Sequence, residues 1–202
     1  MITNFAEKIE KFQFNLDENH ILRRIGHKNR QNKINDTLID IIHEEKEKLN
    51  SLLHAAAVYK ILDYSETNQH PIFKNADKVA LSICTIGPGV ESESTRLMKK
   101  NEMLRGLVVD ALGSEAAEEA AEQVDKILCK KARKMDLWPS RRFSPGYKNW
   151  DIKEQKYIFQ ILPVEDIGVT LTKSYMMVPR KSVSFRINFY RDKKLSKRKI
   201  NI

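Results

Sequence analysis

Ser182-Val183-Ser184-Phe185-Arg186-Ile187-Asn188-Phe189-Tyr190 alternates apolar and polar side chains without a break, Val183, Phe185, Ile187 and Phe189 falling between Ser184, Arg186 and Asn188. A period of two is the mark of a β-strand with one face on a core. The stretch at about 169–178 reads as a second strand joined to it at Pro179-Arg180-Lys181, so the two are expected to form a hairpin. Upstream, Val79, Leu81 and Ile83 alternate with Ala80, Ser82 and Cys84, which predicts a strand at about 78–86 ending in the Gly87-Pro88-Gly89 turn. Strands and helices mixed in this irregular order predict an α+β fold with an antiparallel sheet.

The rest of the chain reads as helix. Helices are expected near 18–26, 34–48 and 50–62, the second carrying Ile34, Leu38, Ile41 and Ile42 at helical spacing, with a polar loop at Gly26–Asn32 between the first two. A short helix follows at 91–100 and a long one at 101–131. On the long helix Glu115, Glu118, Glu122 and Asp125 share one stripe, while Gly106, Gly113, Ala117, Ala120, Ala121 and Val124 lie on others. A glycine inside a helix costs about 0.5–1 kcal/mol relative to alanine, so two of them call for something packed close to the backbone. Asp151, with Glu154 three positions on, resembles a capping box ahead of a helix that carries Ile152, Ile158, Phe159 and Leu162, although Tyr157–Leu162 also fits a strand.

The 202 residues, 41% hydrophobic and 31% charged, suffice for one sizeable core. The expected organisation is a single domain over 1–190, helical in its first part (about 1–75) and α+β in its second (about 76–190), followed by a flexible basic tail at 191–202. No uncharged apolar stretch is long enough to span a bilayer, and the opening residues lack a basic region followed by an apolar one, so the chain is expected to be cytoplasmic. Cys84 and Cys129 form neither a disulfide framework nor a metal-type pair, and His20, His27, His43, His54 and His70 are scattered.

The net charge of +9 is concentrated in two clusters, one around Lys130–Arg142 and one in the tail, and such clusters attract acidic protein surfaces or polyanions. Aromatic residues are not interleaved with them, which argues against a base-stacking platform for nucleic acid. Nucleotide-binding glycine loops, the G-x-S-x-G elbow and H-E-x-x-H are all absent.

One motif points to chemistry. In Arg142-Phe143-Ser144-Pro145-Gly146-Tyr147, proline presets φ and glycine accepts a positive one, so a tight turn displays its backbone groups beside an arginine fork suited to a carboxylate. Taken alone it is a surface turn with a solvated arginine. The order and spacing of other stretches add to it: Ala76-Asp77-Lys78-Val79, Thr85-Ile86-Gly87, Val109-Asp110-Ala111-Leu112-Gly113-Ser114-Glu115-Ala116 and Leu171-Thr172-Lys173-Ser174-Tyr175-Met176-Met177-Val178-Pro179. Together with the turn, they resemble the reactivation domain of cobalamin-dependent methionine synthase; residues 17–62 resemble the opening of stand-alone members of that family.

The resemblance implies a twisted antiparallel sheet with flanking helices and a module that binds S-adenosylmethionine. The implied site comprises Arg142, the turn residues Phe143, Ser144, Pro145, Gly146 and Tyr147, and Glu118 as the matching glutamate of the long helix. It implies no catalytic acid or base and no metal ligand in the chain, cobalamin arriving only on a partner. The implied partners are a corrinoid-binding methionine synthase or methyltransferase and a flavodoxin-like or ferredoxin-like electron donor. Two departures stand out: Leu195 or Ser196 falls where the family has a further tyrosine, and an acid from the family's N-terminal region has no evident counterpart. These departures favour an alternative, a non-catalytic adaptor that binds a corrinoid methyltransferase without S-adenosylmethionine; a nucleic-acid-binding protein driven by the basic clusters is a third reading.

Overall fold

In the computed structural model, which describes residues 5–27, 36–68 and 70–197, the chain runs through β1 (Glu7–Ile9), α1 (Glu18–Arg24), α2 (Asp36–Leu49), β2 (Ala56–Asp63), β3 (Lys78–Thr85), α3 (Gly89–Lys99) and α4 (Met103–Lys134). It continues through β4 (Trp138–Pro139), α5 (Gln155–Ile161), β5 (Thr170–Leu171), β6 (Met177–Val178), β7 (Ser182–Tyr190) and α6 (Lys193–Ser196). One antiparallel sheet has the order β1-β2-β3-β7-β4. The α+β class expected from the sequence is therefore the class observed.

Both faces of the sheet are covered. Ala80 and Cys84 of β3 with Phe185, Ile187 and Phe189 of β7 face the helical layer, where Val109, Ala116, Ala120, Val124 and Leu128 of α4 meet them. Val79, Leu81 and Ile83 face a second cluster built around Phe73, Trp150 and Ile158. A central strand with apolar residues on both sides is buried on both faces, and every residue of β3 after Lys78 is buried. Burial on this scale, at about 25 cal/mol per Å² of apolar surface, is the main force that holds the layers together.

α4 packs so closely because its inward side chains are small. Gly106 and Gly113 lie against α3, where a Cβ on Gly113 would stand 2.5 Å from Val90 Cγ1 and one on Gly106 would stand 2.7 Å from Met98 Cγ. The glycines thus serve helix packing. Asp110 and Ser114, one turn apart, both hold Lys181 at the entrance to β7, at 2.8 and 2.7 Å. Glu45 of α2, buried, receives Arg105 of α4 at 2.5 Å.

Three expectations fail. The helix predicted near 50–62 is instead a turn followed by β2, paired with β3 from Ala56↔Thr85 to Asp63↔Lys78. Ala57 and Tyr59 are buried on one side and Val58 and Leu62 on the other, so the two-residue period is erased and an alanine-rich run mimics a helix. The hairpin predicted between 169–178 and 182–190 does not form either. β5 and β6 pair with each other, closed by Thr172 and Met176, while both edges of β7 are taken, by β3 and by β4. The first part of the chain also supplies β1 and β2, so it is not helical throughout.

Most other elements agree. α1 is capped by Asp17, whose side chain accepts from Asn19 N–H, and residues 157–161 are helix; the capping box expected of Asp151 and Glu154 does not close, because Asp151 accepts from Lys153 N–H at the head of a 3₁₀ turn and the Glu154 side chain pairs with His70 instead. Ile34, most of the polar loop and Arg198 onward lie outside the described residues. Of the tail, Lys193–Ser196 forms a helical turn in which Ser196 is buried and donates to Pro139 O at 2.6 Å.

Gly113→Ala tests the packing of α3 on α4. Helix propensity alone would favour alanine by about 1 kcal/mol, but a methyl driven into the stiff, fully buried Val90 costs more. Urea unfolding is expected to show a net loss of about 1–2 kcal/mol.

Candidate functional site

The turn forms as its residues require. Gly146 has φ +88° behind Pro145, Tyr147 N–H reaches Ser144 O at 3.4 Å, and Gly146 N–H donates to Trp150 O at 2.7 Å. Positive φ at the residue after proline is the geometry of a type II turn. Phe143 and Arg186 exchange backbone hydrogen bonds at 3.0 and 2.9 Å, pinning the start of the turn to β7. Phe143 stacks on the buried Trp150, Pro145 is buried, and Tyr147 is exposed at 67%.

Arg142 leaves this platform toward α4. Its Nη2 donates to Glu118 Oε2 at 2.6 Å, and its guanidinium stands 6.0 Å from the centre of the Phe185 ring. The two polar residues singled out in the sequence are thus brought together as an ion pair, partly open to solvent. Exposed pairs of this kind are worth about 0–1 kcal/mol, so the pair is easily exchanged.

A groove of about 840 Å³ lies between α4 and the segment 13–24, with the ion pair in its wall. Its carboxylates are Asp17, Glu115, Glu118, Glu119 and Glu122, against Arg24, Lys126 and Arg142 as fixed cations. The excess of carboxylates makes it attractive to a cation. Asp17, an acid of the N-terminal region, lines the same groove as Glu118 and Arg142. The sequence did not single it out, because only folding brings it to the same groove as Glu118.

The N-terminal segment is held over α4 by polar tethers. Glu115 accepts from Arg24 Nε at 2.9 Å and pairs with His20 at 2.6 Å; Asn15 N–H donates to Glu119 at 3.0 Å, and Gln123 caps the backbone of Gln13. Burial by itself would push the Glu115 carboxyl up, but the hydrogen bonds from His20 and Arg24 and the charge of Arg24 outweigh it, and the carboxyl is held below its ordinary value. Asp17 is likewise held down, first by Asn19 N–H.

On the other side of the ion pair lies a second cavity of about 550 Å³, between the turn, β7 and α6. Leu195 and Ser196 line this second cavity and not the groove. Cys84 is buried and its thiol pushed up to about 12 by that burial, and no disulfide is formed. Among the described residues no cluster of His, Cys, Asp and Glu could hold a metal ion, and no described helix is long and apolar enough to cross a membrane.

Residues 7–193 match the family described as vitamin B12-dependent methionine synthase, activation domain. Among solved structures, a crystal structure of the MetH reactivation domain bound to AdoHcy superposes with a TM-score of 0.67 at 16% identity, over 93% of this chain and 79% of that one. At that identity the likeness is one of fold. No curated protein sequence matches the chain.

Glu115→Gln should loosen the arm over the groove. Because the carboxyl is depressed in the folded protein, its contribution is present above the unfolded value near 4.5 and lost as pH falls through the folded one. Limited proteolysis at pH 7 should cut within residues 5–27 faster in the variant, and the difference should vanish in acid, where the wild-type carboxyl is itself protonated.

Proposed function

The chain belongs to the family of vitamin B12-dependent methionine synthase activation domains, and from that premise we propose that it binds S-adenosylmethionine in the acidic groove and serves a corrinoid protein by reductive reactivation. The observation that supports this most is the Arg142–Glu118 pair in the groove wall, with Asp17 lining the same groove. S-adenosylmethionine has an α-carboxylate, an α-ammonium and a sulfonium, with a net charge of +1, and a groove rich in carboxylates with one well-placed arginine fits that inventory.

Arg142 and Glu118 answer the amino-acid end. The carboxylate takes the guanidinium fork and the ammonium takes Glu118, so a zwitterion replaces an internal ion pair and no charge is left without a partner. Asp17 and Glu119 supply the negative potential for the sulfonium. The Ser144–Tyr147 turn, rigid through Pro145 and its bond to Trp150, lines the cavity on the other side of Arg142 and offers backbone groups there for the adenosyl part, so the ligand spans the ion pair. When bound, S-adenosylmethionine supplies an electrophilic methyl group. The residues of this chain bind and orient it, and no general acid or base is needed.

The corrinoid belongs to a partner, a methionine synthase or related methyltransferase, and exposed Tyr147 is the side chain we assign to facing it. The electron comes from a separate flavodoxin-like or ferredoxin-like donor. Its acidic surface suits the basic face where Arg133 and Lys193 both lie over the Trp138 ring, at 3.9 and 4.7 Å.

Calorimetric titration with S-adenosylmethionine tests the site. Saturable binding by the wild type is expected to weaken about 10- to 100-fold in Arg142→Ala, and by at least tenfold in Glu118→Gln and in Asp17→Asn. Thermal stability should change little, since the pair is half-exposed. Absence of binding by the wild type, alone and with a corrinoid protein added, would instead favour the adaptor.

A further inference from the structure

β7 carries an arginine where its surroundings are apolar. Arg186 stands opposite the buried Leu81 of β3, and its guanidinium carbon lies 5.2, 5.6 and 5.9 Å from the ring centres of Phe143, Trp150 and Phe73. Its Nε is buried without a hydrogen-bond partner, and among the described residues it joins no ion pair. Burial pushes the guanidinium down from its ordinary value, and Tyr190 alone counters that push. The charged groups that line the cavity beside it are the cations Arg141, Arg142, Lys148 and Lys197 against the single carboxylate of Glu118, which Arg142 engages. A desolvated cation with an unused N–H and like-charged neighbours costs free energy that a methionine or leucine at the same place would not. Stability therefore does not account for Arg186.

Its contacts account for it better. Phe143 and Trp150 bracket the Ser144–Tyr147 turn and stack on each other with ring centres 6.0 Å apart. Arg186 reaches both ends: its main chain exchanges two hydrogen bonds with Phe143, and its guanidinium lies over both rings. Trp150 O in turn accepts from Gly146 N–H at 2.7 Å, and Phe73, edge-on to Trp150, closes a third side of the cage. One residue of β7 thus ties together the two flanks of the turn. Arg142, which reaches Glu118, is the immediate neighbour of the first flank.

We propose that Arg186 is a positioning residue for the ligand site: its planar cation fixes the rings of Phe143 and Trp150, through them the turn, and so the direction in which Arg142 reaches Glu118. A cation has a preferred place over a ring face, and a planar guanidinium a preferred tilt as well. A flexible apolar chain of the same length fills the space but accepts many arrangements. Departures from local rules that cost stability are expected where the geometry serves a site. Arg186 acts through the turn and is assigned no contact with a ligand. This role presupposes the S-adenosylmethionine site proposed above, yet the seating of the turn is measurable without any ligand.

Arg186→Met and Arg186→Lys are compared with the wild type in three ways: thermal unfolding, calorimetric titration with S-adenosylmethionine, and acrylamide quenching of Trp150 fluorescence. The quenching is measured in a Trp138→Phe background, which leaves Trp150 as the sole tryptophan. Arg186→Met is expected to melt no lower than the wild type and yet to bind S-adenosylmethionine about 5- to 20-fold more weakly. Arg186→Lys, which keeps the cation but not the plane, should recover binding to within about threefold of the wild type. Trp150 is buried in the wild type; its quenching should rise in Arg186→Met and return toward the wild-type level in Arg186→Lys. Unchanged affinity and unchanged quenching in Arg186→Met would overturn the proposal. Where Arg186→Met melts well below the wild type, Arg186→Lys decides: recovered affinity supports the positioning role, and affinity lost in step with stability makes Arg186 an ordinary part of the core. Should the wild type bind no S-adenosylmethionine, the reading of the groove fails by itself and quenching alone decides on Arg186, a rise in the methionine variant that lysine reverses supporting the role and equal quenching ending it.

Discussion

The close approach of α4 to its neighbours is the constraint on which the rest of the structure depends. This helix of 32 residues, nearly 50 Å at about 1.5 Å per residue, presents alanine and glycine to the sheet and to α3, and larger side chains there would lift it away. Through it the N-terminal arm is fastened by Glu115 and Glu119, α2 by Arg105, and β7 by the grip of Asp110 and Ser114 on Lys181. Its last turn leads directly into β4, which closes the far edge of the sheet. The position of Glu118 is therefore set by the packing of a whole layer, and so is its distance from Arg142.

That distance gives the site its character. An arginine and a glutamate that reach each other across two layers form a boundary, with carboxylates gathered on one side and cations on the other. Neither population is explained by stability, because solvated charges on a protein surface contribute little to it. Such an arrangement presents opposite potentials on the two sides of one exposed ion pair.

The sequence was most legible where local chemistry is decisive. Pro145-Gly146 forms its turn because no other pair of residues is so well suited to it, and Val183-Phe185-Ile187-Phe189 alternates because one face of β7 meets the helical layer. It misled where burial is two-sided or where an edge is filled from afar. Ala56–Asp63 lost its alternation because both of its faces are inside, and residues 169–178 could not pair with β7 because β3, about a hundred residues upstream of its partners in β7, and β4, about fifty upstream, had taken both edges. The run Val109–Ala116, quoted for its resemblance, proved to be mostly architecture: Asp110 and Ser114 hold Lys181, Gly113 admits Val90, and Glu115 fastens the arm.

The sequence by itself determined the class of fold, the family, the turn, and the candidacy of Arg142 and Glu118, because periodicity, turn chemistry and the order of motifs are properties of neighbours along the chain. Only the tertiary structure decided that Asp17 lines the groove with that pair, that Arg186 lies caged by three aromatic rings beside a cavity of cations, and that the charges on either side of Arg142 are sorted. Each of those facts joins residues separated by tens to more than a hundred positions, and electrostatics depends on distance through space, which a linear pattern does not contain.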